Sequence, residues 1–443
     1  MGMLMDTNQR NSTHDPARRS WVESANAADS DFPIQNLPFG AFSTRGSARI
    51  GVAIGAAIVD LDAALAAGLL TGHAAAAVRA CAGGRLNGLM ALGPGAASAL
   101  RAQLSDLLRF DSSSRGKTAE VLVQMGDVRL LLPCDIGDFS DFLTSLHHTE
   151  RHGRYKGLAD PLPAAFKSLP IAYHGRASSI CVSGAEVVRP RGQFKDASGA
   201  VRYGPATMLD FELELGAFVG RGNALSETIR IDEARQHIFG YCLLNDWSAK
   251  SIQWWEQVLG PFLGKSFMTT ISPWIVTEEA LLPFRMPAPQ RGADAPALLP
   301  HLHGARDREE GGIDISLEAR ISSARQRSAG QQPTLITRTH LNNLYWTFGQ
   351  MLAHHASNGC NLRPGDLLGS GTISGADDLA RACITELTNA GRDPLALGNG
   401  ELRTALEDGD EIVFRARAER AGFVAIGFGE CRGRIVPARE EAA

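Results

Sequence analysis

No CxxC pair occurs in this 443-residue sequence, and its seven cysteines stand apart at Cys81, Cys134, Cys181, Cys242, Cys360, Cys383 and Cys431. An odd count at scattered spacing excludes a disulfide framework and a cysteine-rich zinc site, and it fits a reducing cytoplasm. Long apolar runs are missing as well. The Ala-rich stretch Ile58 to Leu108 is interrupted by Asp60, Asp62, His73, Arg79 and Arg85, short of the roughly 20 apolar residues of a membrane span. It reads as packed helices. The first thirty residues contain no apolar h-region, so no secretory signal is expected. Neither sign of charge dominates: 44 Lys and Arg face 48 Asp and Glu, for a net charge of −4. That balance argues against nucleic acid or an acidic membrane surface as a partner. Internal repeats and low-complexity tracts are also lacking.

What is present is the composition of a soluble globular chain, with 44% hydrophobic and 21% charged residues. Its length favours a small domain followed by a large one. Residues 1–31, rich in Asn, Ser and Asp, read as a flexible tail. Residues 32–133 read as a small β-rich unit with helical insertions. From Cys134 to the end at 443, short β-branched runs lie between Gly, Pro and Asp turns, among them Ile180–Val182, Leu209–Val219 and Ile271–Val276. This predicts a mostly β, α+β architecture with a few helices rather than alternating βα units. The polar stretch Ala305–Gly330 reads as a loop or exposed hairpin.

The most informative local feature is Leu209-Asp210-Phe211-Glu212-Leu213-Glu214-Leu215. A single strand would place Asp210, Glu212 and Glu214 on one face. Carboxylates so close stay ionised only with solvent, basic partners or a cation beside them. Taken alone, the plainer reading is a half-exposed strand with a wet acidic face. Asp141, just ahead of His147 and His148, and Asp246, in the polar pair Asn245-Asp246 directly after the apolar run Leu243–Leu244, widen the choice. Four carboxylates without Cys or His would suit a hard cation, Mg²⁺ or Ca²⁺, rather than zinc. Spacing alone does not bring the four together.

Longer blocks do carry a resemblance. Tyr173-His174-Gly175-Arg176-Ala177-Ser178-Ser179 is one, and Asn245-Asp246-Trp247-Ser248-Ala249 is another. They are joined by Gly260–Phe267, Asn358–Asp366, Gly369–Gly375 and, near the start, Phe42–Arg45 and Arg49–Gly55. In these the sequence resembles the fumarylacetoacetate hydrolase family over nearly its whole length. The resemblance implies an SH3-like barrel domain followed by a large mixed β-roll domain, assembled as a homodimer. It implies a small diketo-acid substrate and hydrolysis of a carbon–carbon bond. It also implies Mg²⁺ or Ca²⁺ held by Asp141, Glu212, Glu214 and Asp246, with Asp210 left out of the ligand set.

The same resemblance makes His148 the base that activates water and Glu386 the carboxylate that orients it, with His147 as a competitor one residue away. Lys250, Gln253 and Lys265 become donors to an oxyanion, while Tyr173 and Thr372 become substrate contacts. His174, His354 and His355 are expected to be structural, and Arg176 to brace loops. Three positions depart from the family pattern: lysine replaces arginine at Lys250, and tyrosines are replaced at Leu143 and Gln257. The segment Thr149–Leu158 also departs, leaving Arg154 and Lys156 as alternatives for holding a substrate carboxylate. The reaction class expected is therefore firmer than the substrate. A sibling hydrolase, decarboxylase or isomerase for another oxo acid is the alternative. A non-catalytic binding protein is opposed by the presence of His148, Glu386 and all four carboxylates.

Overall fold

The computed structural model describes residues 9–44 and 46–440. The first eight residues of the expected tail and Arg45 of the Phe42–Arg45 block lie outside them. Strands dominate and helices are short. Among the described residues, thirteen strands join one sheet that passes from the N-terminal part into the C-terminal part. Strand Phe39–Thr44 pairs antiparallel with Ser47–Ile54 on one side and with Trp274–Thr277 on the other, through Phe39↔Ile275 and Gly40↔Trp274. Gly40 permits that crossing, since a Cβ there would lie 2.5 Å from the Trp274 ring. The core is shared in the same way, with Ile50, Val52 and Leu104 packed in one cluster with Phe218, Leu244 and Ile275. The expected units 32–133 and 134–443 are thus fused through both backbone pairing and apolar burial.

Past that junction the sheet continues through Ile238–Asn245, Leu213–Val219, Leu367–Gly369, Phe139–Leu143 and Ile171–His174. Strands Leu213–Val219 and Ile238–Asn245 are buried along their entire length, which is why they read as near-continuous apolar runs. A second sheet orders Thr334–His340, Ile315–Ser322, Glu411–Ala418, Ile426–Val436 and Glu186–Val188.

Three expectations are corrected. Residues 305–330 are not a loop or exposed hairpin: they contain helix Ala305–Glu310 and strand Ile315–Ser322, which lies between two partners. Its Ile315, Leu317, Ala319 and Ile321 are buried, while Ser316, Glu318 and Arg320 alternate outward and gave the stretch its polar look. The run Leu209–Val219 is not one strand but two, Leu209–Asp210 and Leu213–Val219, with a break at Phe211–Glu212. Residues 9–31 are not a free tail. Thr13, His14 and Ser20 are buried there, and short 3₁₀ turns at Ser12–His14 and Glu23–Asn26 carry the backbone.

Arg101, buried in helix Pro94–Leu108, ties this N-terminal segment down. Its Nε donates to Thr13 Oγ1 at 2.9 Å, and its two terminal nitrogens donate to the carbonyls of Asn36 and Gln35. From the other side, Asn11 Nδ2 donates to Glu279 Oε1 at 2.7 Å. Arg101→Met leaves buried acceptors without donors and is expected to cost about 2–4 kcal/mol. The midpoint of urea unfolding should fall accordingly and residues 9–31 should become cleavable by protease; an unchanged midpoint would contradict this anchoring role.

Candidate active site

Four neighbouring strands end at one place and deliver the site. Phe139–Leu143 carries Asp141, Leu367–Gly369 lies beside it in parallel with Gly369 opposite Asp141, and Leu213–Val219 carries Glu214. Ile238–Asn245 runs directly into Asp246. Glu212 sits in the break before Leu213, its backbone N–H donating to Asn245 Oδ1 at 3.0 Å. Oxygens of Asp141, Glu212, Glu214 and Asp246 all lie within 4.8 Å of one another, and all four residues are buried. Gly369 makes the room. A Cβ there would stand 2.5 Å from Asp141 Oδ1 and 3.1 Å from Glu214 Oε2.

Two lysines reach into the cluster. Lys250 Nζ donates to Glu212 Oε1 at 2.5 Å, and Lys265 Nζ lies 2.5 Å from Glu212 Oε2 and 2.8 Å from Asp246 Oδ2. Tyr173 Oη and Thr269 Oγ1 donate to the two oxygens of Asp246, at 2.7 and 2.8 Å. Burial raises Glu212, but Lys250 and Lys265 more than offset it and hold that carboxyl well below its ordinary range. Asp141 and Glu214 go the other way: burial pushes both up, and Asp246 beside the first and Asp141 beside the second push further.

These residues fit a divalent cation on three observations. Four carboxylates against two ammonium groups leave two negative charges, which one such ion would balance. Asp141 Oδ1 and Glu214 Oε1 are buried acceptors with no hydrogen-bond donor, a costly state that a ligated ion removes. The donor set is all oxygen, as hard cations require.

The second constellation is built on helix Leu146–Tyr155. Ser145 caps it, its Oγ accepting the His148 N–H at 3.1 Å, and this fixes His148 in the first turn. His148 Nδ1 stands 2.9 Å from Glu386 Oε2. With Nδ1 donating to the carboxylate, Nε2 keeps the lone pair. Ser374 Oγ donates to the same Glu386 oxygen at 2.5 Å, and Arg151 Nη1 holds the other at 3.0 Å. Burial raises Glu386, but the His148 ring, His152 and the Ser374 hydroxyl more than reverse it, so the carboxyl lies far below its ordinary range. Asp210 serves the same end from a distance. Its carboxylate accepts the backbone N–H groups of Ile384 and Thr385 at 2.6 and 3.1 Å, fixing the start of the short helix that carries Glu386.

Both constellations open on one cavity of about 340 Å³. Its wall includes Asp141, His148, Tyr173, Glu212, Lys250, Gln253, Lys265 and Thr372. Asp246, Glu214 and Glu386 stand behind that wall. Lys250 and Gln253, one helical turn apart on Lys250–Glu256, share a face, and the Gln253 amide oxygen is buried without a partner. Leu143, Gln257 and Lys156 line the same cavity, with Lys156 Nζ donating to Gln257 Oε1 at 2.7 Å. Arg154 instead projects outward and pairs with Glu150. Glu386 pairs with His148 and not with His147. His355 bonds Ser140 at 2.8 Å, His354 faces His301, and Arg176 bonds Ser178, all outside the cavity wall. Arg151, Ser374 and Thr269 were not singled out from the sequence. No local pattern marks them, because each acts through a partner at least twelve residues away.

Gly369→Ala tests the cradle. The added methyl should weaken divalent-cation binding by roughly 10–100-fold, as loss of support around metal ligands does. Calorimetric titration of wild type and variant with Mg²⁺ and Ca²⁺ reads it directly; equal affinities would show that the ion does not sit beside Gly369.

The family description "Fumarylacetoacetate (FAA) hydrolase C-terminal" matches residues 139–436, and "Fumarylacetoacetase N-terminal" matches residues 35–133. The chain is 45% identical to the fumarylacetoacetase of Arabidopsis thaliana, covering 93% of this chain and 97% of that protein. It is 43% identical to those of Bos taurus and Homo sapiens, in each case over 93% of this chain and 98% of the relative. Among solved structures, a fumarylacetoacetate hydrolase from psychrophilic Exiguobacterium antarcticum aligns with 91% of this chain and 100% of its own, at 17% identity and a TM-score of 0.48. With both family descriptions matched in order and relatives this similar over nearly their full length, the chain belongs to the fumarylacetoacetate hydrolase family.

Proposed function

We propose that this protein hydrolyses fumarylacetoacetate to fumarate and acetoacetate, the closing step of tyrosine and phenylalanine breakdown. The observation that carries the reading is the meeting of the His148–Glu386 pair and the carboxylate cluster on one cavity, in a chain whose relatives bear the name fumarylacetoacetase.

A Mg²⁺ or Ca²⁺ ion held by Asp141, Glu212, Glu214 and Asp246 would offset the negative charge that develops on the two diketone oxygens. His148 Nε2 takes a proton from water, and Glu386 steadies the imidazolium that results. The hydroxide adds to the carbonyl carbon. Lys250, Lys265 and the amide of Gln253 donate to the oxyanion, in a buried site where such donors act strongly. As the carbon–carbon bond breaks, the departing carbon takes the proton from His148, so one water is consumed and one acid and one ketone leave. Tyr173 and Thr372 orient the substrate. Lys156, on the cavity wall, is the better placed of the two candidate partners for a substrate carboxylate, since Arg154 points away.

Family membership also supports assembly as a homodimer. Among the described residues no helix is long and apolar enough to cross a membrane, and with the free cysteines this supports a cytoplasmic location.

The test follows the enol absorbance of fumarylacetoacetate with EDTA-treated protein before and after Mg²⁺ or Ca²⁺. Loss restored by the ion is expected. His148→Ala should lower kcat roughly 10²–10⁴-fold while the ion still binds. No loss with fumarylacetoacetate, but turnover of a shorter acylpyruvate, would transfer the substrate assignment to another diketo acid. Leu143, Lys250 and Gln257, all on the cavity wall, would then be the residues responsible.

A further inference from the structure

Two buried side chains beside the His148–Glu386 pair have no part in the proposed reaction. His152 follows His148 by one turn on the same helix face, with ring centroids 4.2 Å apart. Cys383 immediately precedes the short helix of Glu386, its Sγ 3.8 Å from His152 Nε2 and 3.3 Å from Glu386 Oε2. Ligand atoms from His148, His152, Cys383 and Glu386 all lie within 4.8 Å of one another, and all four residues are buried.

We propose that these four residues form a second metal site, selective for Zn²⁺ and similar ions, whose occupation shuts the reaction down by capturing His148. A tetrahedral zinc with Zn–S near 2.3 Å and Zn–N or Zn–O near 2.0–2.1 Å holds neighbouring ligand atoms about 3.3–3.6 Å apart. The Cys383 contacts already span that range, so rotation about side-chain bonds completes the set. One thiolate and one carboxylate balance a divalent charge, and two neutral imidazoles complete the four ligands. The thiol proton leaves to solvent as the ion binds. Arg151 occupies the other Glu386 oxygen and need not move.

Ligand softness separates this site from its neighbour. Thiolate and imidazole select zinc, cadmium or cobalt, whereas the all-carboxylate cluster selects Mg²⁺ or Ca²⁺. Entry is through the reaction cavity, whose wall includes both His148 and His152. The ion-binding half of the inference stands on geometry alone; the inhibitory half rests on His148 being the base.

The test uses full-length protein saturated with Mg²⁺, titrated with Co²⁺ for spectroscopy and with buffered Zn²⁺ for activity. Wild type should show a thiolate-to-cobalt charge-transfer band and the intense visible bands of tetrahedral Co²⁺. Cys383→Ser should lose the charge-transfer band, and its Zn²⁺ inhibition, relative to its own uninhibited rate, should weaken at least about 10-fold. His152→Asn, offered in case the serine variant fails to fold, should weaken Zn²⁺ inhibition to a similar degree. No thiolate band in wild type, or a band that survives in Cys383→Ser, would overturn the site. Zn²⁺ inhibition fully relieved by raising Mg²⁺ would also overturn it, placing zinc at the carboxylate cluster. Failure of the unloaded protein to turn over fumarylacetoacetate is read separately, because the cobalt spectrum needs no substrate.

Discussion

Burying four carboxylates at one spot is a large electrostatic cost, and the arrangement of this protein around its cavity answers to it. Lys250 and Lys265 neutralise part of the charge through Glu212 and Asp246. The remaining two charges are concentrated where Asp141 and Glu214 each keep an oxygen without a donor. An isolated buried carboxylate would take up a proton instead. Here the surrounding lysines favour the ionised form at Glu212, while Asp141 and Glu214 are left for a cation to satisfy. Replacing the ion by protons would discharge the same strain but remove the chemistry.

The fold supplies the precision. Parallel pairing of Leu367–Gly369 with Phe139–Leu143 sets Asp141 beside a glycine whose missing Cβ leaves the space the carboxylates share. The base is held by a second set of contacts. Ser145 caps its helix, Ser374 and Arg151 fix the orienting carboxylate, and Asp210 pins the helix that bears it. Two supports, one on strands and one on helix starts, converge on one cavity, and Asp210, two residues before Glu212, joins them.

Much of this was legible in the sequence, for physical reasons that differ from residue to residue. Alternation at Glu212 and Glu214, and the polar residues after the apolar run ending at Leu244, point to acidic groups at strand ends. The long blocks around Tyr173, Asp246 and Lys265 supplied the family, and with it Asp141, His148 and Glu386. The break at Phe211–Glu212 was hidden, because a backbone that leaves the ladder for two residues keeps its alternating text. Arg151, Ser374 and Thr269 were invisible since each matters only through a remote partner. Strand Ile315–Ser322 was obscured by charges on its outward face, and the packing of residues 9–31 depends on partners far along the chain, Arg101 for Thr13 and Glu279 for Asn11 and His14. Substrate choice was the least legible: Leu143, Lys250 and Gln257 departed from the family text, and only the fold brings all three to one wall.

The central claim is that one divalent cation completes the carboxylate cluster. Crystals of the protein loaded with Mn²⁺, measured for anomalous scattering, test it most directly. The account predicts a single strong anomalous peak bounded by oxygens of Asp141, Glu212, Glu214 and Asp246. A cluster without a peak under saturating Mn²⁺, with Lys265 still bridging Glu212 and Asp246 and no ion beside them, would contradict it.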